Sequence, residues 1–261
     1  CQAYFAYDSK KSGGVTTSHL RFGDHPIRSP YLVNTPDFVA CHVPSYLDKY
    51  EMLRGLKKGG TFLLNSIWDA EETKSKLPDG MKKYLAENKV NFYIINATSI
   101  AEELGLGTRT NTIMQSAFFK VSEVIPYKLA IDEMKHAVIK AYGKKGENIV
   151  RMNNDAIDRG GDVIKVEVPA EWADIKVTAV KEDSSKPAFI REVVDVINGQ
   201  RGDDLPVSAF AGREDGTFPS GTAAYEKRGI AVNVPEWQID KCIQCNQCSY
   251  VCPHAAIRPF L

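Results

Sequence analysis

Four of the six cysteines stand within the last twenty residues, as Cys242-Ile-Gln-Cys245-Asn-Gln-Cys248-Ser-Tyr-Val-Cys252-Pro253. This is a C-x₂-C-x₂-C-x₃-C-P run. Three thiolates spaced two residues apart can wrap one face of an iron–sulfur cube, with the amides of the intervening turns aimed at its sulfides. Soft thiolate donors suit such a cluster. A structural zinc site pairs two C-x₂-C knuckles across a longer interval, which this run does not contain. A secreted disulfide framework spreads its cysteines to staple distant loops, whereas here only Cys1 and Cys41 lie apart from the group. Clustered thiols in a chain with no leader at its start read as metal ligands in a reducing cytoplasm. The run is therefore taken as a [4Fe–4S] motif with Cys242, Cys245, Cys248 and Cys252 as ligands, with zinc or coincidental free thiols as the other readings.

This spacing is that of bacterial ferredoxins, and in two-cluster ferredoxins the fourth cysteine of the run binds the other cluster. On that logic Cys242, Cys245 and Cys248 share one cluster whose fourth ligand comes from a second run, and Cys252 serves the second cluster. The chain carries one copy of the run, so this piece alone is expected not to complete a stable cluster. His254, just past the Cys-Pro turn, is a candidate to tune the cluster by contact rather than to ligate it.

The elements that must position this chemistry fall into two parts. In the first half, apolar runs at Gln2–Tyr7, 37–43, 61–65 and 90–96 read as buried strands alternating with helices. One helix is expected from an N-cap at Ser45 through Leu47, Tyr50, Leu53 and Leu56 to a stop at Gly59-Gly60; another surrounds Met81, Tyr84 and Leu85. Near-continuous apolar strands in this rhythm imply an α/β fold: three layers, a mostly parallel sheet with helices on both faces. Helical patterns follow at 100–104, 111–121, 128–142 and 147–157, then a strand at 163–168. A polar stretch ending in KEDSSKP reads as a linker, 171–187. A short amphipathic helix, 189–198, and glycine- and proline-rich turns beyond it predict a small irregular domain, followed by a truncated ferredoxin-like segment. Both ends look cut.

Composition narrows the function. Lysine plus arginine and aspartate plus glutamate are both 33, a formal net charge of zero, which argues against a general nucleic-acid binder. No apolar run approaches the roughly 20 residues that span a bilayer. Cys41 and His42 are adjacent, so on a strand they face opposite sides and make no catalytic pair; Cys41 reads as a core thiol. His19, in TSHLRFG, is a weak candidate for orienting a ligand.

Longer motifs accompany the cysteines. They include SKKSGGVTTSHLRFG (9–23), LVNTPDFVACH (32–42), GGTFLLNS (59–66), NTIMQSAFFK (111–120), AYGKKGE (141–147), Tyr225-Glu-Lys-Arg-Gly229 and VNVPEW (232–237). In this order they closely resemble the middle of the pyruvate:ferredoxin (or flavodoxin) oxidoreductases, across essentially the whole chain. The resemblance implies that residues 1–170 are the gamma-type domain on the coenzyme A side. Residues 188–236 would be the small domain named for its Glu-Lys-Arg motif, and 237–261 the first half of a two-cluster ferredoxin domain.

The resemblance also implies the activity. The family oxidatively decarboxylates pyruvate to acetyl-coenzyme A with thiamine diphosphate and magnesium, held in domains outside this segment. Electrons leave through [4Fe–4S] clusters to ferredoxin or flavodoxin. The full-length enzyme is implied to be a cytoplasmic homodimer, with this segment inactive alone and bearing no catalytic residue of its own. Coenzyme A contacts carry over to Lys11, Asn111 and Asn153. Each has a plainer account: a solvated lysine beside the Gly13-Gly14 turn, an N-cap at Asn111, an exposed Asn153 in a helix. A free-standing nucleotide-binding and electron-transfer module, or a non-enzymatic iron–sulfur scaffold, are the alternatives.

Overall fold

The computed structural model describes residues 1–8, 13–177, 185–226 and 235–259. These divide into two units: Cys1–Ala6 with Thr17–Glu226, and Tyr7–Thr16 with Lys227–Leu261.

The first unit is built on a four-stranded sheet in the order β3 (Phe38–Cys41), β4 (Thr61–Asn65), β5 (Asn91–Ile95) and β6 (Ile164–Val166). The first three are parallel, with Phe38 beside Thr61 and Thr61 beside Asn91; β6 is antiparallel, with Phe92 beside Val166. Successive strand residues point to opposite faces, and here both faces are dry. On one, Cys41, Phe62, Leu64, Phe92, Ile94 and Val166 meet Leu77, Met81 and Leu85, and the Phe62 and Phe92 rings stack with centroids 5.4 Å apart. On the other, Leu63 and Ile95 meet Ala97, Ile100, Ile113, Met114, Ala117 and Ala156. Each fully buried Leu, Ile or Phe contributes about 1.5–3 kcal/mol. The mostly parallel three-layer α/β fold expected from the apolar strands is what forms.

Helices α1 (Ala70–Lys76) and α2 (Asp79–Glu87) lie over the first face; α3 (Ala97–Glu103), α4 (Asn111–Ser122) and α6 (Glu147–Arg159) lie over the second. Local chemistry starts them: Asp69 caps α1 by accepting from the Glu72 amide at 2.8 Å, and Asn96 caps α3 by accepting from Ser99 at 2.9 Å. Helix α5 (Tyr127–Tyr142) packs Met134 and Val138 on Ile157 of α6.

Two expectations fail. Gln2–Tyr7 does form a strand, β1, but not a buried one. It pairs with β2 (Thr16–Arg21) in a separate two-stranded ribbon, leaving Tyr4, Phe5 and Tyr7 exposed. Its partner lies a few residues away, and so short a loop closes at lower entropic cost than a return to the distant sheet. The helix expected from Ser45 is also absent: a 3₁₀ turn at Pro44–Tyr46 leads into further turns. Leu47, Leu53 and Leu56 are buried all the same. Gly55 sits at φ +76°, and a Cβ there would stand 2.1 Å from the Asn34 carbonyl oxygen, so the chain passes too close to its neighbour to continue a helix.

Past β6, a 3₁₀ turn at Ala170–Asp174 lays Trp172 on the α2 face of the core. A widened helical turn, Ile190–Val194, then runs into α7 (Asp195–Asn198). Its buried Ile190, Val193 and Val194 adjoin Phe189, which meets Phe218 edge-on at 5.2 Å and carries Arg213 over its ring at 4.9 Å. This region is tied to the segment before β4 by a two-pronged Arg54–Asp204 pair, at 2.5 and 2.9 Å, and by Arg201–Glu51 at 3.8 Å.

The end of α6 comes close against α4. Ser116 donates to the Ile157 carbonyl at 2.6 Å, and a Cβ on Gly160 would stand 2.5 Å from Ser116 Cβ and 2.6 Å from the Ile113 carbonyl. Gly160→Ala is therefore expected to overpack this contact at a cost of about 1–3 kcal/mol. At about 2–4 °C per kcal/mol the melting temperature should drop measurably in calorimetry; an unchanged transition would refute the close approach.

Candidate functional site

The cysteine run lies wholly in the second unit. A 3₁₀ turn at Ile239–Lys241 delivers Cys242, whose amide donates to the Ile239 carbonyl at 3.1 Å. Each two-residue gap of the run then holds one residue in the left-handed conformation: Gln244 at φ 58° and Asn246 at φ 61°. These reversals let the chain curl between successive thiols. Helix α8 (Gln247–Val251) carries Cys248 and ends at Cys252. Beyond Pro253 the chain turns back through Ala255, at φ 50°, so that the Ala256 amide donates to Cys252 Sγ at 3.3 Å. Amides of Ile257, His254 and Ala256 hold the Cys252 thiol below the ordinary cysteine range, the polarity that suits a thiolate ligand.

Cys242, Cys245 and Cys248 are exposed. Among the described residues no three His, Cys, Asp or Glu side chains converge on one metal position. The donor set nevertheless fits an iron–sulfur cluster: four sulfurs, no competing carboxylate between them, two chain reversals and an amide aimed at a sulfur. Cys41 has no part in it. It is 1% exposed, donates to the Val43 carbonyl at 3.2 Å, and burial pushes its thiol up to about 11. That is a core thiol, as its strand position suggests; the neighbouring His42 reaches the surface.

The remaining expected contacts belong to other elements. Lys11 lies outside the described residues. Asn111 is not an N-cap: it is the first residue of α4, and Thr110 holds the cap position without making a side-chain cap bond. The exposed Asn111 amide is thus not engaged in capping. Asn153 is not an exposed residue of α6 but 8% accessible. Its Nδ2 donates to the Ile149 carbonyl at 2.8 Å, and its Oδ1 accepts from Thr112 Oγ1 at 3.5 Å. The fold therefore brings the start of α4 and the middle of α6 together through Thr112, the residue after Asn111.

Beside them lies a loop that the sequence reading passed over. Gly105 and Gly107 adopt φ 74° and 61°, and Gly105 comes close to Met152 of α6, whose Cε would be 3.2 Å from a Cβ placed there. Gly105, Leu106, Gly107, Thr108 and Arg109 line a shallow cavity of about 290 Å³. Arg109 is exposed and makes no ion pair among the described residues. With no side-chain cap on α4, its first amides face the same end of the helix. A guanidinium, a glycine loop and open helix amides together form an anion-accepting corner. The visible signal was G-L-G-T-R-T, two glycines and an arginine before an apolar helix.

Residues 1–163 match the family described as pyruvate ferredoxin/flavodoxin oxidoreductase. The chain belongs to that family. Residues 176–231 match a domain of unknown function, EKR, and 234–257 match a 4Fe-4S binding domain. A pyruvate-flavodoxin oxidoreductase from Enterobacter agglomerans is 59% identical over 261 residues, and a pyruvate:ferredoxin oxidoreductase from Moorella thermoacetica is 56% identical. Each match takes in all of this chain and 22% of the relative. A mitochondrial pyruvate dehydrogenase [NADP(+)] from Euglena gracilis is 43% identical over 263 residues, a match that takes in all of this chain and 14% of that relative. The chain thus spans about a fifth of the length of the oxidoreductases it matches. Among the described residues no helix is long and apolar enough to cross a membrane.

The left-handed residue between Cys245 and Cys248 makes a direct prediction. Asn is among the few side chains that tolerate this conformation, Gly adopts it freely, and a β-branched residue strains it by about 1–3 kcal/mol. Asn246→Gly should therefore retain iron and acid-labile sulfide in the purified full-length protein, whereas Asn246→Val should lose a large part of both. Equal iron content in the two variants would mean that the reversal does not shape the site.

Proposed function

We propose that this chain is the coenzyme A-binding and electron-carrying portion of an enzyme that converts pyruvate and coenzyme A to acetyl-coenzyme A and carbon dioxide. The released electron pair passes to ferredoxin or flavodoxin, and a proton is lost. The observation that carries the reading is the family match over residues 1–163, together with relatives 59% and 56% identical across the whole chain. Thiamine diphosphate and magnesium belong to parts of the enzyme outside this chain, and the complete enzyme works as a cytoplasmic homodimer.

Cys242, Cys245, Cys248 and Cys252 are the proposed ligands of [4Fe–4S] clusters. Such clusters, when bound, supply one-electron storage at potentials set by charge, hydrogen bonds to sulfur and exposure. The chain's own part is to present thiolates, and at Cys252 to steady the sulfur with backbone amides.

Coenzyme A is an anion with a long flexible arm, so its capture needs cationic and amide donors on a rigid frame. Arg109 is proposed to meet its phosphate oxygens and Asn111 to donate to its polar groups; Lys11, outside the described residues, is a proposed coenzyme contact on the family resemblance alone. Asn153 is a positioning residue: its bond to Thr112 holds α4 against α6 and so sets where Asn111 and the Gly105–Arg109 loop stand. Burial of Asn153 supports this indirect role over a direct contact.

A hydrogen bond to a charged group contributes about 1.5–3 kcal/mol, and 1.4 kcal/mol is a factor of ten. Arg109→Ala in the full enzyme is therefore expected to raise the KM for coenzyme A by about tenfold or more, and Asn111→Ala to raise it by less. The release of carbon dioxide from pyruvate in the absence of coenzyme A should be unaffected. An unchanged KM in both variants would remove this corner from the coenzyme site.

A further inference from the structure

Residues 24–36 run from the β1–β2 ribbon to β3 as an irregular strap, punctuated by Pro26, Pro30 and Pro36. Between 24 and 35 none of its amides donates to a backbone carbonyl within the described residues. Its main chain is instead held by three ribbon side chains. Gln2 Nε2 donates to the Ser29 carbonyl at 2.8 Å, and Arg21 Nη2 donates to the Leu32 carbonyl at 2.9 Å. The Val33 amide donates to His19 Nδ1 at 3.2 Å. Arg21 also donates to Gln2 Oε1 at 3.0 Å and covers the Tyr31 ring at 5.0 Å.

Of these anchors only the histidine can change from acceptor to donor. To accept from Val33, Nδ1 must be unprotonated, which puts the ring's one proton on Nε2. We propose that His19 is a pH-operated latch, neutral and bonded to Val33 when the strap is seated, and that its protonation releases residues 29–33 from the ribbon. A proton on Nδ1 would face the Val33 N–H, donor against donor. The positive ring would also stand beside the Arg21 guanidinium, two residues along β2. Release leaves the rest of the ribbon's seating in place: Phe22 still stacks on Phe118 of α4 at 5.8 Å, and Phe118 still meets Phe38 of β3 at 5.0 Å.

The net direction agrees, because burial and Arg21 outweigh the Val33 backbone contact, which by itself favours the charged ring. Burial, and to a lesser degree Arg21, lower the His19 pKa below its ordinary value near 6.5, against the opposing effect of the Val33 contact. Among the described residues, Arg21 is the charged group whose field reaches the ring; Asp24, His25 and Arg28 of the strap add nothing to the shift. A histidine whose folded pKa is lowered stabilises the closed state fully above the unfolded value. That contribution is lost as pH falls from there through the folded value. In this window the open fraction rises by up to about tenfold per pH unit.

Hydrogen–deuterium exchange of the full chain, corrected for the intrinsic pH dependence of amide exchange, reads this directly. Between pH 7.5 and pH 5 the peptide covering Leu32 and Val33 should lose protection several-fold, while peptides of β4 and β5 keep theirs. His19→Asn keeps an oxygen acceptor at the position of Nδ1 that does not titrate, so in this variant the Val33 amide should stay protected across the range. Unchanged protection in the wild-type chain would overturn the latch. So would an equal loss in His19→Asn, or loss of protection in β4 and β5 at the same pH.

Discussion

Phe62, Leu63 and Leu64 are consecutive residues of one strand, and water reaches none of them. Because neighbouring strand residues face opposite ways, this demands an apolar cover on each side of the sheet, and the rest of the first unit is arranged to provide it. Helices α1 and α2 close one face, with α3, α4 and α6 closing the other. Strands buried on both sides must be joined by crossovers, so parallel pairing from β3 to β5 follows from the same requirement. The loop at Gly105–Arg109 and the first turn of α4 stand where they do because α4 is needed as a lid on Leu63.

That cover also explains the polar residues inside it. Asn153 and Ser116 are buried between α4 and α6, and each reaches a partner on the other helix or its own backbone. A buried polar group left unbonded costs about 1–3 kcal/mol, so these bonds register one helix against the other. A correctly placed α4 is what lets Asn111 and Arg109 face outward on the same end of a rigid element.

The cysteine segment is governed by a different balance. From 235 to 259 none of the described residues is buried, and Ile243, Tyr250 and Val251 are largely exposed. Apolar burial cannot be what orders these residues. Where a metal binds such a segment, binding and folding are one free energy; the backbone reversals at Gln244 and Asn246 and the amide on Cys252 are what the polypeptide itself specifies around the proposed ligands.

Much of this was legible in one dimension. Spacing alone marked out the 4Fe-4S binding segment that the family match over 234–257 bears out, because a cysteine motif of this kind spans only a few residues. The apolar runs of β3, β4 and β5 and the patterns of α4, α5 and α6 announced a covered parallel sheet, because burial imposes periods of two and 3.6 on neighbouring positions. Tertiary structure decided the rest. It drew Gln2–Tyr7 into a ribbon outside the sheet, and it bent Leu47–Leu56 into turns under the Asn34 carbonyl while still burying its leucines. It also set Asn153 against Thr112 and the Val33 amide on His19. Each of these depends on which distant backbone or side chain arrives alongside, and short-range pattern carries no record of that encounter.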